Sequence, residues 1–323
     1  MIRRREFIAG LGSAAAWPLA AWAQQAALPE IGFLSSLSAG DGRQIMDAFS
    51  RGLNEVGYVV GRNALIEPRF AAGQYDRLPA LAADLVRRPV AVLAAISGTP
   101  AALAAKAATG TIPIVFAIGS DPVPILVSSL NRPEGNVTGV TFFTQPLATK
   151  RLQILRDLAP KTTTIGVLIN PENPLSVPEG KIIPAAAPTF GLQSTVFGAS
   201  TAGQIDEAFA AITQQQIGAL CVSADPLFLD QRIKLAALAA RYNVPAIYAD
   251  REIAEAGGLS SYGASRSDAY RKAGVYVGRS RSSSRNIPCR SPTLRTFESA
   301  RTGAHRGPKP AHASKPGPLS VAR

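Results

Sequence analysis

The sequence predicts an α/β protein made of two similar lobes, each with a parallel sheet covered by helices on both faces. Three observations carry that prediction. The strand-like runs are apolar throughout rather than alternating, the mark of strands buried on both faces. Each ends in Gly, Ser, Asn or Asp and leads into an Ala/Leu-rich stretch of helical period. The scheme then runs through a second time, and two such blocks fit two lobes better than one sheet. The 323 residues are enough for two cores of ordinary size.

The elements follow in order. EIGFLSS, residues 30–36, is a strand, and a helix from about Arg43 to Val56 sets Ile45, Ala48, Phe49, Leu53 and Val56 on one face. NALIEPRFA (63–71) is a strand, RLPALAADLVRR (77–88) a helix and VAVLAAIS (90–97) a fully buried strand. TPAALAAKAAT (99–109) is a helix with Pro100 in its first turn, and IPIVFAIG (112–119) a strand. GNVTGVTFF (135–143) crosses into the second block. There the order is helix 147–159, strand 163–170, strand 194–200, helix 202–215, strand 217–224, helix 229–243, strand 244–249 and GLSSYGAS (258–265). Between residues 171 and 193, Pro174, Pro178, Pro184 and Pro188 interrupt the expected covering helix. An interior helical proline costs ~3 kcal/mol, so only a short helix is expected there.

The net charge of +12 would suggest an acidic partner, but it sits at the two ends of the chain. Residues 1–23 carry +2 and residues 279–323 carry +9, leaving +1 for everything between. Both histidines, His305 and His312, lie in that basic tail, which excludes a histidine-based catalytic or metal site from the two blocks. The beginning, MIRRREFIAGLGSAAAWPLAAWAQQ, has three arginines, an apolar run too short to span a bilayer, and Ala21-Trp22-Ala23. It reads as a signal peptide of the twin-arginine type over residues 1–23, with the mature protein working in the periplasm. Cys221 lies in an apolar run and Cys289 in the tail, which makes neither a disulfide framework nor a metal set.

In open parallel sheets ligands bind at the carboxyl ends of the strands. Those ends are Ser35-Ser36, Ser97-Gly98-Thr99, Gly119-Ser120-Asp121, Asn170, Ser223-Ala224-Asp225 and Ala249-Asp250-Arg251, with Tyr262 near the last. Ser97-Gly98-Thr99-Pro100 offers free amide groups at a helix N-terminus, a seat for a carboxylate; the alternative is an ordinary helix cap. Asp121 and Asp225 each precede proline and fit simple turns, while Asp225 could also meet a ligand ammonium. No nucleophile elbow, phosphate-binding loop, dinucleotide fingerprint or metal cluster is present. Catalysis would rest on Asp, Glu, Lys or Tyr alone, and the chain is read as a binder without a cofactor rather than an enzyme.

The stretches GLNEVGYVVGRN, LPALAADLVRRPVAVLAAISGTPAALAAKAAT, IPIVFAIGSDPV, NRPEGNVTGVTFF, KRLQILRDLAP and YADREIAEAGGLSSYGAS, with AYRKAGVYVGR, closely resemble an ABC-transporter substrate-binding protein. The similar branch has the type I periplasmic-binding fold and includes binders of aromatic amino acids. The resemblance, from Met1 to about Gly278, implies two Rossmann-like lobes joined by a hinge. They would close as a monomer on a small carboxylate-bearing solute such as an amino acid and dock on an inner-membrane permease. Carried over by position, the first-lobe contacts would be Ser35, Ser36, Ser97, Gly98, Thr99, Ser120 and Asp121. The second lobe would supply Asn170, Asp225, Asp250 and Tyr262. The expected division is lobe 1 at 24–139, lobe 2 at 140–263, and a return helix at 264–278.

The chain departs from that pattern at Pro124, where glycine is usual, and in the proline-rich stretch. From Arg279 no apolar run supplies the strand and helix that should complete lobe 1. Residues 279–323 are read as a disordered basic tail, produced by a shifted reading frame or, alternatively, native and able to recruit an anionic partner. The tail has Phe297 as its single aromatic, and no nucleic-acid partner is expected. An enzyme on the same scaffold is the remaining alternative.

Overall fold

The computed structural model describes residues 28–129 and 135–283; the expected signal peptide and the tail beyond Ser283 lie outside the described residues. The chain forms two compact units. Among the described residues, unit 1 takes 28–118, 122–129, 135–140 and 270–283, and unit 2 takes Gly119–Asp121 and Thr141–Ala269.

Unit 1 is built on β1 (Glu30–Ser35), β2 (Leu65–Phe70), β3 (Val90–Ile96), β4 (Ile114–Ile118) and β5 (Val137–Thr141), in the order β2-β1-β3-β4-β5. The β1–β2, β1–β3 and β3–β4 pairings are parallel. Helices α1 (Ala39–Glu55), α2 (Leu78–Val86) and α3 (Thr99–Ala108) cover it. The unbroken apolar runs of β3 and β4 are buried almost end to end, as strands covered on both faces require. Helix α1 starts four residues before the predicted Arg43, because the Ser38 hydroxyl accepts from the Asp41 amide and caps it. Its buried stripe, Ile45, Ala48, Phe49 and Leu53, is the predicted one except for Val56, which caps the helix end half-buried, and Phe49 stands edge-on to Phe33 of β1 at 5.4 Å between ring centres.

Unit 2 is built on β6 (Thr164–Ile169), β7 (Gln193–Gly198), β8 (Ala219–Val222), β9 (Ala246–Tyr248) and β10 (Ser260–Ser261), all parallel, in the order β10-β9-β8-β6-β7. Its helices are α4 (Ala148–Leu158), α5 (Glu179–Ala186), α6 (Ala202–Gln214), α7 (Pro226–Asp230), α8 (Arg232–Arg241) and α9 (Arg251–Glu255). The proline-rich segment does hold a short helix: α5 spans eight residues with Pro184 inside it and passes into a single 3-10 turn over Ala187–Phe190. The predicted helix 229–243 is two pieces, since Asp225 caps the separate turn of α7 before α8 begins.

Helix α10 (Arg266–Ser283) runs five residues beyond Gly278, where the sequence pattern ends it. Arginine and serine are adequate helix formers, and the Ser280 hydroxyl donates back to the Tyr276 carbonyl 2.9 Å away. From Tyr270 onward this helix belongs to unit 1. It lies so near α1 that a Cβ on Gly52 would overlap the Arg271 carbonyl, and one on Gly274 would overlap the Phe49 carbonyl. Gly278 faces Val56 and Tyr58 in the same way, and Arg271 pairs with Glu55 at 2.7 Å beside the seam. Among the described residues no helix is long and apolar enough to cross a membrane.

Gly52→Ala and Gly274→Ala should each destabilise unit 1 by about 2–3 kcal/mol, since backbone rather than a flexible side chain blocks the added methyl. Thermal denaturation checks this against Gly110→Ala, where nothing lies within 4 Å of the added atom and no such loss is expected.

Candidate functional site

In unit 1 the polar strand ends are buried and partly uncommitted. Ser35 is spent, its hydroxyl accepting from the Leu37 amide at 3.2 Å. Ser36, wholly buried, and Ser97, 4% exposed, have hydroxyls with no hydrogen-bond partner. Leaving a buried hydroxyl unpaired costs roughly 1–3 kcal/mol, so two such groups at the carboxyl ends of neighbouring strands call for an explanation.

The turn carrying Ser97 adds a second oddity. Ser97 has φ +67° and Gly98 φ +135°, a left-handed conformation that only glycine adopts without strain. Gly98 is the N-cap of α3, Thr99 and Pro100 open the helix, and no side chain caps it. The ordinary side-chain cap that this sequence also allowed is therefore not formed. The strained turn sets a buried, unpaired hydroxyl beside the positive end of a ten-residue helix, an arrangement suited to a carboxylate. Thr99 is buried with it.

Unit 2 holds the other candidates. Ser120 and Asp121 group here rather than with the first lobe, because the Ser120 carbonyl accepts from the Thr141 hydroxyl at 2.8 Å and the Gly119 carbonyl from the Thr144 amide at 2.9 Å. Ser120 is buried and Asp121 exposed.

Asn170 and Asp225 come together, but in bonds that leave them occupied. Asp225 Oδ1 accepts from Asn170 Nδ2 at 3.2 Å and from the Leu227 amide at 2.8 Å, while Oδ2 accepts from Asn173 Nδ2 at 2.7 Å. Asn170 Oδ1 in turn accepts from the Glu172 amide and the Ser200 hydroxyl, both at 3.0 Å. Ser176 bonds the Asn170 amide and the Ser223 hydroxyl. Asp225 is thus a helix cap and the centre of a buried polar network that ties β6, β8 and the loop before α5.

Asp250 is the contrasting case. It is 4% exposed at the end of β9, pairs through Oδ1 with Arg266 at 3.2 Å, and keeps Oδ2 without a hydrogen bond. Burial lifts its pKa to about 6, with Arg266 opposing the shift and Glu252 adding to it. Arg266 also holds Glu252 at 2.9 Å. Tyr262, at the end of β10, is 37% exposed, and its amide donates to the Tyr248 carbonyl at 2.9 Å.

Sequence reasoning missed Arg151 and Glu179, both wholly buried and 2.6 Å apart inside an otherwise apolar cluster. The available signal was the helical spacing of Ala148, Arg151, Leu152 and Leu155, which puts the arginine in the buried stripe of α4. Beside them burial pushes the Cys221 thiol up to about 11, so it stays protonated and behaves as a small apolar group. No group of three or more His, Cys, Asp or Glu among the described residues could hold a metal ion.

These environments separate two kinds of polar residue. Asp225→Ala strands two buried asparagine donors and removes a cap, and should cost about 2–4 kcal/mol in urea unfolding. Ser36→Ala removes a hydroxyl that has no partner, and should leave the unfolding midpoint unchanged or slightly raised.

A family model described as ABC transporter substrate binding protein matches residues 30–280. A tyrosine-binding protein from Clostridioides difficile (strain R20291) is 28% identical over 231 residues, which cover 71% of this chain and 65% of that protein. The chain therefore spans slightly less than two thirds of the length of that curated relative. Among solved structures, the ABC domain in complex with L-Trp from Streptococcus pneumonia has a TM-score of 0.72 at 24% identity, covering 79% of this chain and 85% of the other. The ligand-free, open structure of a substrate binding protein with adhesive properties from Clostridium difficile has a TM-score of 0.57 at 24% identity, covering 84% and 90%. Two five-stranded parallel α/β units, polar groups gathered at their strand ends and a family model matching most of the length lead to one conclusion: this chain belongs to the ABC transporter substrate-binding protein family.

Proposed function

We propose that the protein is the periplasmic receptor of an ABC importer and that its solute is an amino acid, with aromatic amino acids the first candidates. The observation that carries this reading is the set of buried polar atoms left without partners at strand ends: Ser36 and Ser97 hydroxyls in unit 1 and Asp250 Oδ2 in unit 2. Hydroxyl donors next to the amino end of α3 suit a carboxylate, and a carboxylate oxygen suits an ammonium. Those are the two charged groups every free amino acid carries. Tyr262 is the aromatic surface offered to a side chain. The names of the relatives that bind tyrosine and L-Trp support the same class. Delivery to a permease partner is part of the same proposal. Gly98, Thr99, Ser120 and Asp121 belong to the same proposed shell, whereas Ser35, Asn170 and Asp225 shape the loops beneath it.

Asp250 gives the reading a pH dependence. Its folded pKa near 6 exceeds the ordinary 3.8, so the folded protein holds this proton more tightly than the unfolded chain does. The stabilisation is complete below about pH 4 and is lost as pH rises to 6, leaving an unrelieved desolvation cost of about 3 kcal/mol at neutral pH. A bound ammonium offsets that cost and lowers the pKa. Affinity for L-tyrosine or L-tryptophan should therefore be flat above pH 6.5 and fall up to tenfold per unit below pH 6, with proton release on binding at pH 6. Isothermal titration calorimetry in buffers of different ionisation enthalpy measures both. Asp250→Asn should weaken binding at least tenfold and flatten the pH profile. Failure of any of the common amino acids to bind the wild-type protein would sink the reading.

A further inference from the structure

A buried ion pair is weak evidence for stability, because apolar side chains of similar volume commonly do as well in the same place. Arg151 and Glu179 therefore call for another role. They sit at 0% exposure, 2.6 Å apart, on helices that also bury Leu152, Leu155 and Ile183. Arg151 directs a different atom, Nη1, at the main-chain carbonyl of Tyr262, 3.3 Å away. The Tyr262 amide is held from the other side by the Tyr248 carbonyl. Directly after it, Gly263 lies so close to the Ala249 carbonyl that a Cβ there would overlap it. Thus the backbone at Tyr262 and Gly263 lies against the end of β9 and the residue after it, while Tyr262 as a whole remains 37% exposed.

We propose that Arg151 is a positioning residue for solute recognition: oriented by Glu179, it clamps the Tyr262 carbonyl and so sets where the Tyr262 ring stands relative to the end of β9. The inference rests on the reading of Tyr262 as a solute contact. Glu179 faces the guanidinium of Arg151 2.6 Å away, which is the contact that orients it. An arginine suits this task because its fork can face a carboxylate and a carbonyl at once, whereas a lysine offers a single point charge. The clamp reaches the ring only through backbone, so its loss should alter discrimination among ring shapes more than the capture of the amino acid head group.

The test is the double variant Arg151→Met/Glu179→Met, which removes both charges and leaves neither partner stranded. Hydrogen exchange over residues 258–265 and calorimetric titration with L-tyrosine and L-tryptophan are read on the same samples. The expected result is a cooperative thermal transition, at least tenfold faster exchange in that segment, and a change of threefold or more in the ratio of the two dissociation constants. Unchanged exchange, or faster exchange with an unchanged ratio, overturns the proposal. Should the double variant not fold, Arg151→Lys, which keeps the charge beside Glu179, is judged by the same two criteria. If the wild-type protein binds neither amino acid, the solute reading of this class fails on its own. Exchange alone then decides the clamp: faster exchange keeps it and unchanged exchange removes it.

Discussion

Unit 1 depends on two backbones meeting with no side chain between them. Where Gly52 of α1 faces the Arg271 carbonyl of α10, and Gly274 of α10 faces the Phe49 carbonyl of α1, the helices approach closer than any side chain would allow. Such contact gains its stability from many small dispersion terms rather than from one bond, and it tolerates no added volume. Phe49, on whose carbonyl Gly274 rests, also packs edge-on against Phe33 in β1. Ser36, two residues beyond the core leucine Leu34, inherits its placement from the same strand. The seam thus fixes the helix that fixes the sheet, and the sheet fixes the candidate carboxylate seat.

A second constraint operates in unit 2, where similar chemistry is put to opposite uses. Asp225 and Asp250 both follow short apolar strands and both open a short helix. Asp225 satisfies itself with two asparagines and an amide, and so makes rigid loops. Asp250 keeps one oxygen uncommitted in a buried place, an electrostatic cost that protonation or a further cation relieves. The first kind of carboxylate holds the frame and the second is available for recognition. A buried polar network that is complete around Asp225 and incomplete around Asp250 is more informative than either residue alone.

Much of the fold was legible because burial on both faces leaves a strong mark: β3, β4 and β8 read as continuous apolar runs, and α1, α4 and α6 keep a 3.6-residue stripe. Element ends were harder. The start of α1 turned on a serine cap ahead of the apolar stripe, and the end of α10 on a serine back-bond in a segment without apolar period. At the candidate site, position in the chain identified the strand ends but could not rank them. The distinction between Asp225 and Asp250 depends on Asn173 and Arg266, which come from elsewhere in the chain. Arg151 and Glu179 were not singled out, since charged residues seldom lie fully buried, although the arginine's place in the helical stripe of α4 was a visible signal. The left-handed turn at Ser97 left no trace beyond the glycine after it.

The helix seam of unit 1 also orders the folding of the chain in time. Arg271 and Glu55, paired beside it, are 216 residues apart in sequence. Every strand of unit 1 is available long before α10 is, while unit 2 has all its described residues except the opening segment of α10 once β10 has been made. The unit that begins the chain is therefore the one completed last. During synthesis its sheet must wait with α1 bare around Gly52 until α10 has been made. The interval before that closure is the period in which a chaperone would find the most apolar surface to hold.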